Sequence, residues 1–194
     1  MNKRKFLKQA GAASVAAGLI LASRSSQAQA PAGDVKVLIV YHSVTGNTEK
    51  MAQGVAEGVN GVSGASVVLK KAGEVTGDEL LACDALIVGS PVYYANMAGE
   101  IKTFFDNWLL KFRFAFTDFK MRNKVGGAFV TGGAISNGKE TTMQSIHAAM
   151  LINQMSVVTG PDSPGVDEKE LEAARALGKR VAEFAAITKR GSKS

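Results

Sequence analysis

One succession of segments restricts the fold of this chain more than any other feature. An apolar run at Val35–Tyr41 leads into the hydroxyl-rich segment Ser43–Thr48 (S-V-T-G-N-T), and a helical pattern over Gly46–Asn60 follows. This predicts a strand, a tight turn and a helix N-terminus, where backbone N–H groups, hydroxyls and the helix dipole favour an anion. The turn lacks a lysine, so a phosphate monoester suits it better than a triphosphate. The alternative is an ordinary capped helix start.

Apolar runs and helical patterns alternate along the rest of the chain, which predicts an α/β fold with one parallel sheet. We expect a doubly wound, five-stranded sheet in the order 2-1-3-4-5, with helices on both faces. The predicted strands are Val35–Tyr41, Ala65–Leu69, Ala85–Gly89, Val125–Thr131 and Ser156–Thr159. The predicted helices are Gly46–Asn60, Asp78–Ala82, Ala98–Leu110, Lys139–Asn153 and Asp167–Ile187.

Ligands of such sheets bind beyond the carboxyl ends of the strands, at the point where the strand order reverses. The loops after the third and fourth strands, Ser90–Met97 and Thr131–Ala134, should therefore complete the site that begins at Ser43. Two adjacent tyrosines in the first loop could face a flat ring. Glycines in the second would let the backbone approach a ligand and donate hydrogen bonds, although an ordinary turn is an equal alternative.

The same segments carry a family resemblance. The pattern S-x-T-G-N-T resembles the FMN-phosphate loop of the flavodoxin family. The stretch Pro91–Gly99 (P-V-Y-Y-A-N-M-A-G) resembles the P-x-x-[FY]-x-N-M-A-G loop of the tryptophan-repressor-binding-protein type of NAD(P)H:quinone oxidoreductase. Gly138–Thr142 and Glu170–Gly178 are also similar to that family, and the resemblance covers most of residues 35–187.

The resemblance implies a flavodoxin-like oxidoreductase with FMN as its cofactor, NAD(P)H as co-substrate and a quinone as acceptor. It places the phosphate site on Ser43, Thr45, Gly46, Asn47 and Thr48. It places the flavin ring beside Pro91, Val92, Tyr93, Tyr94, Ala95 and Asn96, and beside Thr131, Gly132, Gly133 and Ala134. Tyr94 and His147, which matches a histidine near the flavin, become the candidate catalytic residues; the alternative for His147 is a histidine bonded to backbone. No metal site is expected.

The chain departs from that family in two places. The segment Gly160–Val166 is short, whereas family members carry a long loop there that helps to build a tetramer and the active-site wall. A homo-oligomer is implied by the resemblance, but this departure leaves its form open. The second departure is an N-terminal export signal, which matters because NAD(P)H is a cytoplasmic reductant and an exported enzyme could use another donor.

Residues 1–30 have the composition of a cleaved export signal. A basic start (Lys3, Arg4, Lys5, Lys8) precedes an apolar stretch over residues 11–22, and Ala28-Gln29-Ala30 supplies a cleavage site after Ala30. The apolar stretch is too short for a membrane span, so we expect no stable anchor after cleavage. Residues 2–8 resemble the twin-arginine motif, with Lys3 at its first arginine. We expect a periplasmic or secreted protein with one FMN-binding domain over residues 31–194.

The export signal also accounts for the charge of the chain. The whole sequence has a formal net charge of +6, but the first thirty residues hold five basic and no acidic residues. The remainder has 18 basic and 17 acidic residues, a net charge of +1, which gives no support to nucleic-acid binding. The single cysteine, Cys83, excludes an internal disulfide and is expected to be a packed thiol.

Three other functions fit parts of the sequence. Gly133–Lys139 fits the G-x-x-x-x-G-K pattern of a nucleotide-binding loop, but Glu140 stands where a magnesium-binding Ser or Thr belongs. A one-electron carrier such as a flavodoxin is a second hypothesis; such carriers are usually strongly acidic, unlike this chain. A module that holds flavin or another phosphate ligand without turnover is the third.

Overall fold

The structure is a computed structural model that describes residues 35–115, 117–133, 137–159, 162–163 and 166–191. The predicted export signal and its cleavage site lie outside the described residues, and so do Ala134 and most of the segment Gly160–Val166. None of the helices within the described ranges is long and apolar enough to cross a membrane.

A parallel sheet forms the centre of the fold. The strands are β1 (Val35–Tyr41), β2 (Ala65–Lys71), β3 (Ala85–Tyr93), β4 (Asn96–Met97), β5 (Val125–Thr131), β6 (Ser156–Val158) and β7 (Asp162–Ser163). The five main strands lie in the spatial order β2-β1-β3-β5-β6, which confirms the predicted order 2-1-3-4-5. The two-residue strand β4 pairs antiparallel with β3, and β7 pairs parallel with β5 beyond the end of β6.

Helices cover both faces of this sheet. The five α-helices are α1 (Asn47–Asn60), α2 (Gly77–Ala82), α3 (Gly99–Leu110), α4 (Lys139–Leu151) and α5 (Glu168–Gly191). One core cluster joins α1 and α5 to the sheet, and the other joins α2, α3 and α4 to it. Because β3 and β5 are covered on both sides, every residue of β5 is buried, as expected of a central parallel strand.

Glycines allow α1 and α5 to pack closely. A Cβ atom on Gly58 would overlap the carbonyl of Arg175, and one on Gly178 would overlap the carbonyl of Val55. Since even a methyl group is excluded at both positions, the backbones of the two helices are in direct contact. Close packing there holds α1 firmly, and the first turn of α1 is part of the predicted ligand site.

Two predicted boundaries were wrong by four residues, and the other boundaries differ by two residues at most. The segment Ser90–Met97 was expected to be a loop, but β3 continues through Tyr93 and turns back as a hairpin into β4. Pro91 suggested the start of a loop, yet it pairs with Thr131 at the end of the β3–β5 ladder. The last helix runs to Gly191 rather than to Ile187.

The packed-thiol prediction for Cys83 is confirmed. The side chain is 3 % exposed, and its Sγ donates a hydrogen bond to the carbonyl of Leu80 at 3.2 Å. Burial raises the pKa of this thiol to about 11, so it is protonated at neutral pH and a poor nucleophile. Cys83 is therefore a structural residue at the end of α2.

Candidate functional site

Three loops meet at the carboxyl edge of the sheet, as the topology requires. The loop after β1 contacts the end of β5 through the side chains of Thr48 and Thr131. The β3–β4 hairpin contacts the start of α4, because a Cβ atom on Gly138 would overlap Ala95. Most of the predicted cofactor-binding residues are thus brought together at one edge.

The loop after β1 has the geometry of an anion site. Gly46 occupies the N-cap position of α1 in a left-handed conformation (φ 87°), and no side chain accepts a hydrogen bond from the first turn. The N–H groups of that turn therefore remain available to a ligand. Ser43 shapes the loop by accepting a hydrogen bond from the Gly46 N–H at 3.1 Å, which leaves its own hydroxyl hydrogen free to donate. Thr45 and Asn47 are exposed beside it.

The one carboxylate in the first turn of α1 is held by a hydrogen bond from the core. Glu49 lies in the first turn of α1, but its carboxylate accepts a hydrogen bond from Tyr41 Oη at 2.8 Å. Burial, together with Glu49, raises the pKa of Tyr41 to about 12, so the phenol keeps its proton and holds the carboxylate. The chemistry of the loop fits a phosphate group, and the residues expected to hold it are present there.

Thr48 differs from the other residues predicted to bind phosphate. It is almost completely buried, and its hydroxyl oxygen lies 2.8 Å from that of Thr131, with either atom able to donate. A hydroxyl carries one hydrogen, so Thr48 can donate to a phosphate only when Thr131 is the donor within the pair. A hydrogen bond from Thr48 to a phosphate at the loop after β1 therefore depends on the orientation of the Thr131 hydroxyl at the end of β5.

The β3–β4 hairpin presents aromatic side chains at the edge. Tyr93 pairs with Asn96, and the two residues between them, Tyr94 and Ala95, both adopt positive φ values (49° and 62°). These angles match the tight two-residue turns of hairpins, which glycine and asparagine normally occupy. The Tyr94 ring is fully exposed and Tyr93 is 42 % exposed, so both rings are available to a planar molecule. Strain of this kind is common at functional sites.

The loop after β5 is small and open. Gly132 is half-buried, and Gly133 is exposed, with nothing within 4 Å of the position of a Cβ atom. Packing within the protein therefore does not demand glycine at residue 133. The open space beside Gly133 is consistent with a ligand that approaches the backbone closely.

Three residues at this edge were missed by the sequence analysis. His42 follows β1, and its Nε2 lies 3.4 Å from a carboxylate oxygen of Glu100. The same ring meets Tyr93 edge-on, with the centroids 6.4 Å apart. Ser90, which is fully buried, accepts a hydrogen bond from the Ala98 N–H at 2.9 Å and thereby ties the base of the hairpin to α3. His42 adjoins the S-x-T-G-N-T motif, and that position was the available signal.

His147 lies further from the loops than its predicted role suggests. It is eight residues into α4, about 12 Å along the helix axis from Lys139 at the usual rise per residue. Its Nε2 is buried without a hydrogen-bond partner among the described residues, and burial lowers the pKa of the imidazole. A catalytic role for His147 stays a prediction.

A groove adjoins the hairpin on the α3–α4 side. It has a volume of about 940 Å³, begins at Asn96 and Met97, and is lined mainly by apolar side chains, among them Phe105, Leu109 and Ile152. It extends the edge of the candidate site with a surface suited to apolar groups.

Known proteins are similar to this chain in sequence and in fold. The NADPH-dependent FMN reductase family matches residues 35–164. An NAD(P)H dehydrogenase (quinone) from Chromohalobacter salexigens is 35 % identical, over 66 % of this chain and 72 % of its own. A flavodoxin from Aquifex aeolicus is 36 % identical, over 81 % and 91 %. The crystal structure of a WrbA-like flavodoxin from Agrobacterium tumefaciens superposes with a TM-score of 0.65 and 27 % identity, over 79 % and 99 %.

These similarities agree with the geometry of the edge, where an open helix N-terminus, an aromatic hairpin and a glycine loop meet. The family match covers all three loops and the groove beside them. The chain belongs to the NADPH-dependent FMN reductase family, and it is an FMN-dependent oxidoreductase of flavodoxin-like fold.

Proposed function

We propose that the protein is an exported NAD(P)H:quinone oxidoreductase that transfers electrons in pairs. The observation that carries this proposal is the exposed pair Tyr93 and Tyr94, held at the tip of a hairpin beside the open N-terminus of α1. Planar rings stack on such side chains. The quinone reductase relative from Chromohalobacter salexigens supports a quinone as the acceptor.

Bound FMN would supply the redox chemistry, by taking a hydride equivalent from the donor and passing electrons to the acceptor. The residues of this chain would bind and orient. The first turn of α1, with Ser43 and Thr45, would hold the phosphate, while Gly132 and Gly133 would border the ring. Tyr93 and Tyr94 would hold the acceptor against it, and the apolar groove at Asn96 and Met97 would accept an apolar substituent of a quinone.

An anaerobic absorbance titration tests the reaction. The FMN-loaded protein should be bleached by NADPH or NADH and should recover its colour when a benzoquinone is added. If neither nucleotide bleaches it and dithionite reduces it in two separated one-electron steps, the carrier hypothesis is favoured instead. The similarity to the Aquifex aeolicus flavodoxin supports that second candidate. The net charge of +1 outside residues 1–30 is a weak argument against it.

The stacking role has its own test. Replacing Tyr93 and Tyr94 together by Ala should raise the KM for benzoquinone more than it weakens FMN binding, because both rings are exposed and contribute little to the core. The matched control replaces both by Phe and keeps the rings. Quinone kinetics that do not change in the double Ala variant would contradict acceptor stacking.

The proposal of export and of a periplasmic or secreted location rests on residues 1–30 alone. The basic start, the apolar stretch and the small residues before Pro31 support a cleaved signal and a periplasmic or secreted protein. Cell fractionation of the full chain and of a chain without residues 1–30 tests this. A mature N-terminus at Pro31 in the exported fraction is expected, and retention of the full chain in the cytoplasm would contradict it.

A further inference from the structure

Lys139 is the one charged residue among the buried polar side chains in the described part of the chain. It begins α4 and is 3 % exposed. The other four buried polar residues all make hydrogen bonds: Thr48 and Thr131 with each other, Ser90 with Ala98, and Thr142 with Gly138. Lys139 has no hydrogen-bond or ion-pair partner among the described residues, and this contrast requires an explanation.

The position of Lys139 is unfavourable for a cation. The N-terminus of a helix carries partial positive charge, so lysines are stabilising at the opposite end. Almost all of the Lys139 side chain is also removed from water, and charges in such surroundings are normally paired in proteins. An anion bound beside Lys139 would remove both costs.

The side chain of Lys139 reaches the edge where the ring is expected. Its Cγ and Cδ atoms lie 3.5 Å from the position of a Cβ atom on Gly132, and Val92 Cβ lies 3.7 Å from the same position. The stem of Lys139 thus lies beside Gly132 at the end of β5, close to Val92 of β3, and the ammonium group is two bonds beyond Cδ. Gly138, directly before Lys139, touches the hairpin tip at Ala95.

The same geometry separates Lys139 from the phosphate loop. Lys139 belongs to α4, which packs on the sheet face of α2 and α3, whereas the phosphate loop begins α1 on the opposite face. The closest link of the phosphate loop to β5 is the Thr48–Thr131 pair. Lys139 therefore begins a helix on the sheet face opposite to α1, beside the loop that is expected to border the ring.

We propose that Lys139 is the counter-ion of the reduced flavin, placed at the ring edge that Gly132 borders. The proposal rests on FMN binding at these loops. Reduction by a hydride adds two electrons and one proton to the flavin, so the ring gains one negative charge. The positive charge of Lys139 stabilises the negative charge of the reduced ring, which raises the reduction potential.

The test compares the affinities of the two redox states. Lys139→Met keeps the length of the apolar stem and removes the charge. The variant should bind reduced FMN at least tenfold more weakly than wild type while the affinity for oxidised FMN changes less than threefold. A tenfold ratio between the two changes in affinity lowers the two-electron potential by about 30 mV, measurable against a reference dye. Lys139→Arg should keep most of the wild-type potential.

A matched control removes an exposed lysine from the same side of the protein. Lys102 on α3 pairs with Asp106, and its side chain is 62 % exposed. Lys102→Met changes the net charge by the same amount in solvent, and it should leave the potential within the error of the wild-type value. An equal shift in both variants would mean that long-range charge, and not the position of Lys139, sets the potential, and would overturn the proposal.

Stability of the FMN-free protein gives an independent readout. Lys139→Met should melt at the wild-type temperature or above it, since it removes an unpaired buried charge. A clearly lower melting temperature would show that the ammonium group already has a stabilising partner, and would overturn the proposal. Lys139→Gln serves if the Met variant does not fold.

The remaining outcomes separate this proposal from the assignment of FMN. Equal weakening of oxidised and reduced FMN in Lys139→Met would assign Lys139 to general anion binding and overturn the counter-ion role. If the wild-type protein does not bind FMN in either redox state, the cofactor site itself is wrong, whatever the variants do.

Discussion

The helices at the carboxyl edge of the sheet begin in two different ways. At α2, Thr76 and Glu79 form a reciprocal capping box, and Asp167 and Glu170 do the same at α5. At α1 and α4, a left-handed glycine precedes the helix and supplies no side-chain cap, and Ala98 before α3 supplies none either. Among the described helices, α2 and α5 thus begin with reciprocal caps and α1, α3 and α4 begin without a cap from the preceding residue.

The open starts coincide with the predicted site. Helix α1 follows β1, and α4 follows β5, so both begin at the centre of the sheet around β3. Helix α2 follows β2 at one edge, and α5 follows the other edge. Capping is therefore absent where a ligand could replace it and present where none is expected. Stability and binding are divided between different helix ends in one fold.

The largest expected effect comes from Gly138→Ala. Its φ of 82° costs a side chain about 1–2 kcal/mol, and the overlap with Ala95 adds about 1–3 kcal/mol. Thermal unfolding should show a loss in that combined range, with weaker FMN binding because the hairpin moves. Gly64→Ala is the control, since it has a similar φ of 78° and open space around it. Equal losses in both variants would refute a tight contact between α4 and the hairpin.

One substitution at each kind of helix start should show that the capped start affects stability and the uncapped start affects FMN binding. Thr76→Ala should lower the free energy of unfolding by about 0.5–2 kcal/mol, because the cap is lost, and leave FMN affinity unchanged. Thr45→Ala should do the reverse and weaken FMN binding roughly tenfold, since a hydrogen bond to a charged group is worth about 1.5–3 kcal/mol. Fluorescence titration and urea unfolding measure the two effects. A Thr45→Ala variant with normal FMN affinity would argue against the phosphate loop.

The smallest expected effect is the loss of stability at low pH that the capping box at α2 causes. The ion pair with Lys70 and the hydrogen bonds to Thr76 lower the pKa of Glu79 below its usual value of 4.5. The stabilisation is therefore present above about pH 4.5 and is lost as pH falls through the lower folded pKa. Glu79→Gln should flatten the fall in melting temperature between pH 5 and pH 3. An unchanged profile would mean that the α2 box contributes nothing to acid stability.

The sequence predicted the fold well because the signals were periodic and local. The bounds of β1 and β5 match the prediction, since both apolar runs end at polar, turn-forming residues. The hairpin was missed because Tyr94 and Ala95 are not the glycine or asparagine that usually mark such a turn. Pro91 strengthened the wrong interpretation, although a proline at the last pair of a ladder loses little.

The sequence predicted which residues form the site better than it predicted the contacts between them. The phosphate loop was evident from its motif, but the burial of Thr48 depends on a partner 83 residues away. Lys139 was noticed only as the lysine of a nucleotide-binding pattern, and nothing in the sequence indicated its burial beneath Gly132. Contacts between distant segments decide such features, and periodicity does not encode them.

The hydrogen bond between the hydroxyls of Thr48 and Thr131 can run in either direction. Only one of the two hydroxyl hydrogens lies between the oxygens, so the pair has two polarities. An anion beside α1 selects the polarity in which Thr131 points towards Thr48 and Thr48 points outward. Phosphate binding would then fix the orientation of the hydroxyl of Thr131, which directly precedes Gly132. Phosphate and ring would therefore be coupled through one hydrogen bond that joins the loop after β1 to the end of β5.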